Sequence, residues 1–235
     1  MVAGEGVTLD TLLQYGGTAF GVACILAVLN WISVARSWKK AEYVSKPATL
    51  IVVIVAAWLI TRGPHDAWMA RFFLPGLIFS LAGDVFLMLP GERFFIPGLV
   101  SFLLAHVCYI MGLNPTLPPL PALIPLVIAV VVGLLLVRGI ASGLRRSGRM
   151  ALLGPVALYG LVLSLMLFSA WATLFRPEWT ALRRALVIAG ASLFFASDSM
   201  LAWDRFVELL PGGHTKVMVT YHLAQFALAA SMALV

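Results

Sequence analysis

Eight apolar runs, each close to the length that crosses a bilayer and joined by short connections, constrain this 235-residue chain more than any other feature. A spanning helix needs roughly 20 mostly apolar residues to cover about 30 Å of hydrocarbon. Stretches bounded by charge, proline or glycine predict spans over 11–33, 47–61, 72–90, 95–113, 120–138, 151–175, 181–203 and 216–234. Hydrophobic residues fill 62% of positions and charged residues 11%, and mean hydropathy is +1.01. A soluble fold of this size reaches such values only by exposing large apolar patches. The expected fold is an all-α integral membrane protein: a bundle of about eight transmembrane helices in a single domain over 1–235, without room for a separate soluble domain.

The first run has Glu5 and Asp10 ahead of it but no lysine or arginine. It lacks the basic leader of a secretory signal and reads as a retained span. Arg36, Lys39, Lys40, Lys46, Arg93, Arg138, Arg145, Arg146, Arg149, Arg205 and Lys216 fall on one side of the membrane. Arg62, Arg71, Arg176, Arg183 and Arg184 fall on the other. By the positive-inside rule both termini face outward. The net charge of +6 is then mainly a topology signal and an attraction for anionic headgroups. The basic runs are too short and too close to spans to bind nucleic acid. Cys24 and Cys108 lie in apolar runs, where a thiol behaves as a small hydrophobe.

The chain also echoes itself. FSLAGDVFLMLPGERF from Phe79 is similar to LFFASDSMLAWDRF from Leu193, and each precedes a span carrying a leucine, an alanine and a polar residue: Leu104, Ala105 and His106, then Leu223, Ala224 and Gln225. The pattern points to two four-helix halves in parallel orientation.

Asp84 and Asp198 sit at matching places in these strings, inside hydrophobic runs. An aspartate near the centre of a spanning helix costs about 2.5–3.5 kcal/mol, so two of them ask for a reason. Each could simply bond a neighbouring helix or reach the interface. Their similar depth in one leaflet favours a shared cavity, where repulsion and desolvation would leave a neutral acid beside an ionised base, a general acid/base pair. Asn30, Lys46, Tyr221, His222 and Gln225 come to the same side, with Tyr221 and Gln225 on one helical face. Lys46 reads either as a snorkelling anchor or as a site residue. His106, deeper in its span, reads either as a packing residue or as a catalytic one. Gly83, Ser197 and Ser199, beside the acids, permit close helix approach or supporting hydrogen bonds.

His106, His222, Asp84 and Asp198 could in principle form a zinc ligand set, yet no tight His or Cys spacing supports a metal, and no cofactor is expected. GxSxG, Walker A and HExxH patterns are absent. Trp31, Trp38, Trp58, Trp68, Trp179 and Trp203 lie near span ends and read as interfacial belts.

SKPAT at Ser45, FSLAGDVFLML at Phe79, GLVSFLLAHVCYI at Gly98, ASDSMLAWDRF at Ala196 and YHLAQF at Tyr221 together resemble the YhhN-type lysoplasmalogenase family. The resemblance implies an eight-span enzyme that hydrolyses the vinyl ether bond of lysoplasmalogens to a fatty aldehyde and glycerophosphoethanolamine or glycerophosphocholine. It maps the family's two aspartates onto Asp84 and Asp198 and its lysine onto Lys46. Asp204 stands where a neutral polar residue is expected before Arg-Phe, and its place at a span end reads as solvated. Vinyl ether hydrolysis also suits the acid pair, because its difficult step is protonation of the alkenyl carbon, which needs no covalent nucleophile.

The expected partners are thus a lysophospholipid substrate and membrane lipids, with the site toward the cytoplasmic leaflet of a bacterial inner membrane. Two other readings stay open on residues alone. Buried acids and a repeat also describe a small proton-coupled transporter. A metal-dependent hydrolase of a lipid ester or amide is the other, and sensitivity to chelators would mark it.

Overall fold

A computed structural model describes residues 9–63 and 65–234, with side chains from residue 16 onward; Glu5 and the Asp10 side chain lie outside the described residues. The described residues form eight α-helices: α1 (Leu9–Ala35), α2 (Lys39–Ile60), α3 (Ala67–Met88), α4 (Phe95–Leu113), α5 (Leu123–Arg146), α6 (Leu153–Ala172), α7 (Ala181–Phe206) and α8 (Gly213–Ser231). Helices are the expected answer in lipid because they satisfy every backbone donor and acceptor internally. Seven are long and apolar enough to cross a membrane. The eighth, α8, carries His214, Lys216, Tyr221, His222 and Gln225, and it packs against α1, α2, α3 and α7.

Consecutive helices pair as hairpins, α1 with α2, α3 with α4, α5 with α6 and α7 with α8. The α3–α4 seam interlocks through small residues. A Cβ on Gly76 would meet the Tyr109 ring at 2.8 Å, one on Gly83 the Phe102 ring at 2.5 Å, and one on Gly112 the Phe73 ring at 2.7 Å. Such knobs against glycine replace the hydrophobic drive that helices lack in lipid. The central core gathers Leu50, Phe73, Leu77, Phe102, Tyr109, Met166, Val187, Phe194, Tyr221 and Leu228. Helix α5 stands at the edge and packs on α6 and α7.

Helices α2 and α5 run furthest past their expected ends. Helix α2 starts at Lys39 and passes through Pro47, whereas charge and proline pointed to a start at 47. Its first turns are polar on the inward face: Glu42, Ser45, Lys46 and Thr49 are all buried, at the spacing of one helical stripe. Helix α5 continues to Arg146, with Arg145 and Arg146 in its last turn, where basic residues complement the helix dipole.

Candidate active site

Helix α3 carries Asp84 and α7 carries Asp198, 1% and 8% exposed. On Asp84, Lys46 Nζ stands 3.1 Å from Oδ1, and the Tyr221 hydroxyl donates to Oδ2 at 2.8 Å. On Asp198, the Tyr159 hydroxyl donates to Oδ2, and His106 Nε2 lies 3.5 Å from the same oxygen. The other His106 nitrogen, Nδ1, is 2.6 Å from the Phe102 carbonyl. A carbonyl only accepts, so Nδ1 carries a hydrogen, and in the neutral ring Nε2 turns a lone pair toward Asp198. That nitrogen is buried without a hydrogen-bond partner.

The two settings repeat one plan. Each aspartate is held by the second helix of its own half, α2 for Asp84 and α6 for Asp198, and by the fourth helix of the other half, α8 and α4. No hydrogen bond joins the two carboxylates. Between the two settings Phe194 packs edge to face, 5.5 Å from the Tyr221 ring and 4.7 Å from the His106 ring. The two acids expected to face one cavity are thus each held by partners of their own, Lys46 and Tyr221 on Asp84, Tyr159 and His106 on Asp198.

The remaining expected residues divide. Tyr221 and His106 reach the carboxylates. Gln225 Oε1 accepts from the Tyr109 hydroxyl at 2.8 Å, and Asn30 Nδ2 donates to Ser45 Oγ at 3.0 Å, tying α1 to the helix of Lys46. His222 Nδ1 accepts from the Trp31 indole at 3.0 Å, which leaves its Nε2–H unpartnered along with Gln225 Nε2 and Asn30 Oδ1. Ser197 Oγ donates to the Val217 carbonyl at 3.1 Å, a tie between α7 and α8 away from the carboxylates. Asp204 accepts from the Leu210 N–H at 2.7 Å and shapes the α7–α8 turn. Two tryptophans depart from the belt reading: Trp31 serves His222, and Trp179 is buried beneath the Arg183 guanidinium at 3.8 Å.

Tyr159, the closest partner of Asp198, carries no mark in the sequence. It stands in an apolar run of α6, where a tyrosine reads as packing, and only a search for hydroxyls at the depth of the acids could have raised it. Among the described residues no three His, Cys, Asp or Glu side chains are grouped to hold a metal ion.

Three clefts reach this region. An apolar one of about 40 Å³ exposes Asp198 between Leu87, Leu99, Phe102, Tyr159 and Leu201. A polar one of about 150 Å³ exposes Lys46 beside Lys39, Glu42 and His214. A third, of about 240 Å³, lies between Glu92 and Arg205. Leu87 lines all three. The apolar groove between α5 and α6 is lined by Gly133, Gly160 and Ser164 and holds no titratable group.

Residues 41–232 match the model of the YhhN family. A mouse protein named lysoplasmalogenase TMEM86B is 33% identical over 242 residues, covering 97% of this chain and 93% of its own. Its rat counterpart is 34% identical over 222 residues, covering 90% and 81%. A membrane protein of Escherichia coli O157:H7 named YhhN is 25% identical over 223 residues, covering 91% and 98%. No solved structure matches.

Proposed function

This chain belongs to the YhhN family, and from that premise we propose that it is a lysoplasmalogenase working by aspartate acid/base catalysis. The substrate is a lysophospholipid with a 1-alkenyl chain. The observation that carries the reading is that Asp198, alone of the two acids, lines the apolar cleft. An alkenyl chain lying along that apolar lining brings its vinyl ether to the carboxyl.

The partners divide the labour. Asp84, against the Lys46 ammonium and the Tyr221 hydroxyl, is the ionised carboxylate. Asp198 faces the lone pair of His106, and a proton held on the carboxyl satisfies both groups. Asp198 gives that proton to the alkenyl carbon, forming an oxocarbenium ion whose positive charge the Asp84 carboxylate stabilises through the low-dielectric core. Water attacks the cation and passes a proton back to Asp198. The hemiacetal then collapses to a fatty aldehyde and a glycerophospho-alcohol. Tyr159 and His106 are positioning residues that fix the Asp198 carboxyl.

The cleft at Asp198 is lined by Arg205 and the cleft at Lys46 by Lys39, both among the basic residues of one membrane end. By the positive-inside rule this is the cytoplasmic end, so the lysolipid enters from the inner leaflet and both termini lie outside.

Purified protein is given a lysoplasmalogen, its saturated ether analogue and its ester analogue. Aldehyde appears from the first alone. Release from none of the three, or cleavage of the ester without aldehyde, refutes the assignment.

A further inference from the structure

Glu42 is an acid that the reaction above does not use. It sits one helical turn before Lys46 on the inward face of α2, buried like Lys46 itself. Its two partners lie in the open: Lys39 Nζ at 3.0 Å and His214 Nε2 at 3.2 Å, with side chains 64% and 47% exposed. A buried carboxylate answered by exposed cations keeps its charge in place while its partners can swing away into water.

Glu42 and Lys46 line the same cleft of about 150 Å³. Side chains four residues apart on a helix stand about 5–6 Å apart at Cβ. The cleft therefore presents an anion and a cation on one helical face, the two signs of charge carried by a phosphodiester-linked ethanolamine. Lys46 remains on Asp84, and Leu87 divides this cleft from the one at Asp198. A lipid whose chain lies at Asp198 reaches Lys46 by passing Leu87.

We infer that Glu42 is the ammonium subsite of the headgroup: it binds the primary ammonium of a zwitterionic lysolipid while Lys46 binds its phosphate. The inference rests on the lysolipid reading above. The Glu92–Arg205 cleft offers the same pair of charges, but Glu92 is 67% exposed against 7% for Glu42, and charge recognition weakens with solvation.

The test is binding of two uncleavable lysolipids to the full chain in detergent, by titration calorimetry: a 1-alkyl-glycerophosphoethanolamine and a 1-alkyl-glycerophosphoglycerol. They share chain and phosphodiester and differ in the ammonium. The unaltered protein binds the ethanolamine form about tenfold more tightly, the scale of one charge-assisted hydrogen bond. Glu42→Gln binds both forms alike with affinity for the glycerol form kept, and Glu42→Asp retains part of the preference. Absence of preference in the unaltered protein, its survival in Glu42→Gln, or its loss in Glu92→Gln instead, overturns the inference. Preference without aldehyde from a lysoplasmalogen leaves the subsite standing and refutes the hydrolase, and the converse pair of results does the reverse.

Discussion

The Lys46 ammonium stands 3.1 Å from the Asp84 carboxylate with both side chains almost out of reach of solvent. Removing one partner of a buried pair strands a charge and costs about 3–5 kcal/mol, whereas neutralising both often costs little. Lys46→Met therefore lowers the thermal stability of the detergent-solubilised protein sharply, and Lys46→Met with Asp84→Asn recovers most of the loss. Unfolding midpoints of the two variants and the parent check this. A single variant as stable as the parent refutes the buried pair.

Asp198→Asn keeps the shape of the side chain and its Tyr159 hydroxyl contact while removing the proton to be delivered. General acid catalysis contributes about 100-fold or more, so aldehyde release falls by at least that factor at unchanged unfolding temperature. Near-parental turnover in a well-folded variant rules Asp198 out as the acid.

Tyr159→Phe removes the one hydroxyl donated to Asp198 and leaves the ring against His106, 5.4 Å away. Asp198 becomes a carboxylate as it gives up its proton, and a hydrogen bond to that charged form is worth about 1.5–3 kcal/mol. We expect kcat to fall about tenfold or more, with KM little changed, because the lost bond positions the acid and does not hold the lipid. An effect on KM alone would place Tyr159 in substrate binding.

Asp66 caps α3, accepting from the Met69 N–H at 2.8 Å, and also bonds the Arg183 guanidinium. Burial pushes its carboxyl up, but the Arg183 and Met69 hydrogen bonds outweigh burial and hold it below the ordinary 3.8. A group depressed in the folded state stabilises the fold above its unfolded value, and that contribution is lost as pH falls through the folded one. The parent thus loses stability on acidification below about pH 4. Asp66→Asn, which can still cap the helix, starts less stable and loses less over the same range. Melting curves between pH 6 and pH 3 (about the range where aspartate titrates) compare the two slopes.

The sequence makes the helices and the two acids legible for the same reason: in lipid, apolar length and isolated charge are both costly to fake. Asp84 and Asp198 stand out because nothing around them in the chain is charged. Their partners do not stand out. Tyr159 is hidden among apolar residues that tolerate any aromatic, and Glu42 lies in a segment whose charges look like a loop until α2 is seen to begin at Lys39. Trp179 reads as a belt residue because it lies near a span end, yet Arg183 places its guanidinium over the ring. Pairing between helices depends on rotation about their axes, and a nearly uniform apolar surface leaves rotation unmarked.

Gly83, next to Asp84, gives the seam between α3 and α4 its sharpest test. A methyl group there would stand 2.5 Å from the Phe102 ring. That ring is wedged edge to face against Phe194 at 6.3 Å and Tyr221 at 5.9 Å, so it has little room to turn. Tyr221 in turn holds Asp84. Gly83→Ala should therefore cost about 1–3 kcal/mol by overpacking and lower turnover through the Tyr221–Asp84 contact. Gly17→Ala is the control, since no atom lies within 4 Å of the added carbon, and there the loss of glycine freedom favours the helix by about 0.5–1 kcal/mol. If both variants melt at the same temperature, the helices do not meet at Gly83.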